Sequence, residues 1–143
     1  MAQLARLAPL VLLPLALSAT GCGKVREIKE CRALSREVSA ALDQVEALSK
    51  EKPKDPEQTL RIAGHYGALA KALSPRGDGP TPLAAAVRDY AELMRSTEEA
   101  LQAHAEALRA GDTKGANETR RELERIVKRE RAAIVRLEAE CRV

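Results

Sequence analysis

The side chains best suited to binding or reacting at a defined point are Cys22, Cys31, Cys141, His65 and His104. The two histidines fall on different predicted helices. Neither takes part in a His-x-x-x-His or Glu-x-x-His pair, the spacing that turns two ligands onto one helical face toward a metal. His104 shares an apolar stripe with Met94, so a haem iron held between them is chemically conceivable. Against it, the attachment signature Cys-x-x-Cys-His is missing, and alanine-rich faces draw helices together instead of leaving a cofactor slot. His104 is therefore expected to pack in the core or at its boundary, with no metal and no cofactor. No Gly-x-Ser-x-Gly nucleophile motif and no glycine-rich phosphate loop occurs in the sequence. Acidic and basic residues alternate at spacings of three and four, as in Glu124 and Lys128, the pattern of a solvated helix face and not of paired catalytic carboxylates. No catalytic residue is expected, and the chain is not expected to be an enzyme.

Two stretches carry charge or a motif. Residues 120–131 hold Arg120, Arg121, Arg125, Lys128, Arg129 and Arg131 against Glu122, Glu124 and Glu130. Such a surface can meet anionic headgroups, an acidic partner or peptidoglycan, but a solvated face explains it without any function. Residues 74–81 read SPRGDGPT. The embedded Arg76-Gly77-Asp78 is the tripeptide that integrin ligands display, yet a turn using Gly77 and Gly79 for backbone freedom is the simpler reading. Lys and Arg number 24 and Asp and Glu 21, too even a balance to imply a nucleic-acid partner.

The first two dozen residues stand apart in composition. Residues 1–6 carry one basic side chain, Arg6; residues 7–17 are apolar; residues 18–21 are small; Cys22 follows, and after it Gly23-Lys24 and a charged chain. The stretch 7–21 is shorter than the roughly 20 residues a membrane-spanning helix needs, and Pro9 and Pro14 interrupt it. This pattern resembles the type II signal peptide of bacterial lipoproteins. The resemblance implies that Ala19, Thr20 and Gly21 form a lipobox and that Cys22 is acylated. It also implies that residues 1–21 are removed, leaving 22–143 as a lipid-anchored domain of the cell envelope. Gly23 is not the Asp associated with inner-membrane retention, so the resemblance points to the outer membrane, facing the periplasm. A leader cleaved after Ala19 or Gly21 without acylation is the rival. Three cysteines would leave one free thiol in an oxidising compartment; acylation of Cys22 leaves Cys31 and Cys141 to pair.

Positioning these residues falls to helices. Phe and Trp are absent and Tyr occurs twice, good helix formers dominate, and no β-branched run alternates with period two. Apolar residues at spacings of three and four predict helices over about 25–50, 56–73, 82–110 and 113–141, after a short tether or a frayed first turn at 23–26. Lys52-Pro53 ends the first. Asp55, Pro56 and Gln58 make a capping box for the second, Thr81-Pro82 starts the third, and Gly111-Asp112 makes a tight turn into the fourth. Ile28, Leu34 and Val38 in the first stripe, Tyr66 in the second, Tyr90 in the third and Ile126, Val127 and Ile134 in the fourth are among the expected core residues. The fold class is all-α: an up-down antiparallel four-helix bundle, or a three-helix bundle with the second helix loosely attached. In the four-helix arrangement Cys31 and Cys141 lie at one end, both in the apolar stripes, and a disulfide between them is expected. The functional expectation is a membrane-anchored, non-enzymatic interaction or structural module, whose partner is an envelope protein or peptidoglycan. The alternative is a periplasmic bundle binding haem or another small ligand.

Overall fold

The structure is a computed structural model that describes residues 20–51 and 55–142, with the backbone alone for Thr20, Gly21 and Cys22. The leader expected at 1–21 thus lies outside the described residues save for its last two backbone positions. Four α-helices account for nearly all of the described chain: α1 Thr20–Ser49, α2 Pro56–Leu73, α3 Pro82–Arg109 and α4 Thr113–Glu140, with a 3-10 turn Ser74–Gly77 between α2 and α3. No strand occurs among them.

Local chemistry sets the boundaries. Asp55 caps α2 by accepting from the Glu57 backbone N–H at 3.0 Å, with Pro56 in the first helical position. Thr81 caps α3 through the Ala84 N–H at 3.0 Å, and Asp112 caps α4 through the Gly115 N–H at 3.0 Å. Gly111, at φ +64°, supplies the left-handed residue that ends α3.

In three places the elements depart from expectation. Residues 23–26 belong to the helix and form no tether: α1 begins at Thr20, five residues before the expected start near Val25. Ile28 does not reach the core and is 38% exposed, because it lies on the side of α1 turned away from Leu34 and Val38. Gln58 does not complete a capping box. Its side chain is 2% exposed and donates to the Leu48 carbonyl in the last turn of α1, while its own carbonyl accepts from Arg61.

The helix α3 is the hub. Tyr90, Met94 and Leu73 are the largest fully buried side chains, and Leu69, Leu83, Val87, Leu93 and Ile126 join them in one cluster that continues to Cys31, Leu34 and Leu137. Neighbours run antiparallel. Arg109 at the end of α3 pairs with Glu57 at the start of α2, and Arg136 late in α4 pairs with Asp89 early in α3. Arg76, after α2, pairs with Glu30 and Glu37 in the first half of α1 at 3.4 and 2.8 Å. Among the described residues α1 approaches α2 but brings no Cα within 8 Å of α3 or α4. The loosely attached helix is thus α1 and not α2, because the hub α3 is flanked by α2 and α4.

Candidate functional site

Where α1 and α4 fail to meet, a seam remains. Cys31 and Cys141 close its one end with a disulfide, their Cα atoms 5.7 Å apart. Beyond it an open groove of about 430 Å³ is lined by Leu34, Val38 and Leu42 of α1 and Ile134 and Leu137 of α4. Ser35 and Ser39 edge it. Leu34 and Leu137 are buried and Val38 and Ile134 partly so, so the floor is packed and only the mouth is open. Glu138 and Arg142 line it too, so the groove offers apolar contact with charged groups beside it.

A second feature lies under α3. Tyr66 of α2, Tyr90 of α3 and Glu130 of α4 gather where the three helices meet, and the Tyr90 hydroxyl donates to the Glu130 carboxylate at 3.3 Å, long for such a bond. Burial pushes the Glu130 pKa up, opposed by the Tyr90 hydrogen bond. Burial, and secondarily the Glu130 charge, raises Tyr66 to about 12 and Tyr90 further in the same direction. The sequence reading placed Glu130 on the solvated face. Its spacing of four from Ile126 and Ile134 was the signal that it turns inward.

His104 is half-buried, its Nδ1 2.8 Å from the Thr119 Oγ1. The Thr119 hydroxyl also lies 3.0 Å from the Gly115 carbonyl and 3.1 Å from the Ala116 carbonyl, either of which can accept its proton. His65 is partly exposed on α2. Among the described residues no three His, Cys, Asp or Glu side chains gather in metal-binding geometry.

The Arg76-Gly77-Asp78 tripeptide is not presented as a loop tip. Arg76 is bound back to α1, Gly77 is buried and only Asp78 is exposed. Gly77 is required for close approach and not for backbone freedom: a Cβ there would sit 3.0 Å from the Cα and 2.9 Å from the Cβ of Arg88. On α4, Arg120 pairs with Glu124 at 4.0 Å and Arg125 with Glu122, so the basic run is partly neutralised along its own helix. Val127, expected in the core, is 50% exposed beside it; with α3 covering one side of α4, the residue after Ile126 faces outward.

No helix among the described residues is long and apolar enough to cross a membrane. No family model, curated protein or solved structure matches the chain.

Proposed function

We propose that this protein is a bacterial lipoprotein. Acylation at Cys22 anchors it to an envelope membrane, the outer one by the Gly23 argument, and residues 22–143 serve there as a non-enzymatic interaction or structural module. The observation that carries the reading is the division of the three cysteines. Cys31 and Cys141 are joined to each other, and the remaining one, Cys22, stands where a lipobox pattern requires the acylated residue. The mature domain is an up-down antiparallel four-helix bundle. Its support is the series of end-to-end contacts: Gln58 with Leu48, Arg109 with Glu57 and Arg136 with Asp89.

Intact-mass analysis of protein extracted from its membrane tests the anchor. The expected chain begins at Cys22 and carries acyl groups, while a Cys22→Ser variant lacks them and is not converted to the mature form. A wild-type chain that is soluble and begins elsewhere would remove the reading. A second reading, a module that binds a small apolar ligand, is favoured by the groove lined by Leu34, Val38 and Ile134. Native mass spectrometry of the purified domain, showing a bound apolar molecule lost in Val38→Glu, would select it.

A further inference from the structure

The first part of α1 is divided into two faces of opposite character. Val25, Ile28, Lys29, Arg32 and Arg36 recur at spacings of three, four and seven, and so share one face of a helix with 3.6 residues per turn. All five are exposed, Val25 at 53% and Ile28 at 38%. Among the described residues Lys29, Arg32 and Arg36 enter no ion pair, while the acids of the same segment, Glu27, Glu30 and Glu37, fall on the other side of the helix, where Glu30 and Glu37 hold Arg76. The acid-free face runs on until Asp43. From Val25 to Arg36 it spans about 16 Å, and it points away from the core side occupied by Cys31, Leu34 and Val38.

Two further facts make this face conspicuous. No residue between 23 and 30 is buried, so about two turns of helix precede the core with little packing of their own, and such a segment gains its stability from what covers its apolar side chains. The first turn of α1 also lacks an acidic residue, and the first charged residue after it is Lys24, the unfavourable sign near a helix N-terminus.

We propose that the Val25–Ile28–Lys29–Arg32–Arg36 face lies flat on an anionic membrane surface, holding α1 parallel to the bilayer with the other helices above it. Charge complementarity selects the occupant: two exposed aliphatic side chains, Val25 and Ile28, followed along the same face by three unpaired cations match acyl chains under anionic headgroups. The face begins one turn after Cys22, so the proposal rests on the anchoring reading for its setting but not for its test.

The full chain is purified in detergent, and intact mass first reports whether Cys22 is acylated. It is then placed with vesicles of phosphatidylcholine alone or of phosphatidylcholine with phosphatidylglycerol, and acetylation rates of Lys29 are compared with those of Lys71 and Lys114. The expected result is several-fold slower labelling of Lys29 on the anionic vesicles only, reversed near 1 M salt, where screening falls to about 3 Å. In R32E/R36E, folded by its unchanged melting and intact disulfide, the protection of Lys29 is lost. A chain that also proves unacylated should lose on the order of 30-fold or more in vesicle partitioning with that variant. Equal labelling of Lys29 on both vesicle types overturns the proposal whatever the state of Cys22. Protection without vesicles that rises with protein concentration overturns it in favour of a second copy. Anionic-lipid protection with an unmodified Cys22 keeps the face and removes the anchor.

Discussion

Cys31 and Cys141 stand 110 positions apart in sequence and 5.7 Å apart at the Cα, and they join α1, which among the described helices approaches α2 alone, to the end of the chain. Elsewhere α1 is held by α2, by Gln58 and by the Arg76 ion pairs. In the chain-entropy model a loop of this size is worth about 4–5 kcal/mol. Reduction should therefore lower the melting temperature by on the order of 10 °C. Amide exchange should accelerate in α1 far more than in α3. Uniform acceleration in all four helices would show that α1 is no separate unit.

Gln58 ties the start of α2 to the end of α1. It is buried, donates to the Leu48 carbonyl and accepts from Arg61. In Gln58→Leu the apolar bulk stays but the carbonyl loses its partner, at a cost of about 1–3 kcal/mol. Urea unfolding should show the loss, with the last turn of α1 exchanging fastest. A variant as stable as wild type would mean that water replaces the amide.

The Glu130 carboxyl has its folded-state pKa raised, chiefly by burial. A raised pKa means the native state holds the proton longer than the unfolded chain. The associated stability is present below about pH 4.5, the ordinary value, and is lost as pH rises through the folded-state pKa. Glu130→Gln should flatten that part of the pH–stability profile and leave the variant more stable than wild type near neutrality. Tyr90→Phe removes the hydrogen bond that opposes the rise, so the decline should move to higher pH. A profile unchanged in Glu130→Gln would show that the carboxylate is well solvated.

Helix positions were legible from the sequence because they rest on local rules: capping residues, proline and glycine punctuation, and apolar spacing; the cysteine pair was legible from the count of cysteines and the order of the helices. What was not legible depends on which helix becomes the hub. Ile28 stands three residues before Cys31 and so fits the apolar spacing of α1, yet it is exposed while Cys31 and Leu34 are buried in the cluster. Gln58 fits a capping box equally well, and only the return of α1 to within reach offers it the Leu48 carbonyl instead. Glu130 carries charge within a charged run, which hides the inward signal of its spacing of four from Ile126 and Ile134; the Tyr90 hydroxyl it meets is visible only in the fold. The charge division on α1 was readable as spacing, but its meaning required knowing that Glu30 and Glu37 are occupied by Arg76.

Gly77 packs the 3-10 turn directly on α3, with the Arg88 Cα 3.0 Å from where a Cβ would stand. Backbone cannot step aside as a flexible side chain can, so Gly77→Ala should cost about 1–3 kcal/mol through overpacking. Gly79→Ala, whose Cβ would meet only the Ala84 side chain at 3.2 Å, should cost less. Thermal melts of the pair decide it. Equal effects would mean that the turn relaxes as a unit and that close approach is not what Gly77 supplies.

His104 meets α4 through one polar contact, the Thr119 hydroxyl at 2.8 Å. That hydroxyl keeps its own bond to the Gly115 carbonyl if the imidazole is removed, so no buried donor is orphaned by the change. Leucine at this position extends the stripe that already holds Met94, Leu101 and Ala105 on the same helix. His104→Leu should thus stay within about 1 kcal/mol of wild-type stability, with the apolar gain offsetting the lost hydrogen bond. The companion measurement is a visible spectrum and metal analysis of protein from its native membrane, before and after the substitution. A haem band or stoichiometric metal that disappears with His104→Leu would overturn the packing role.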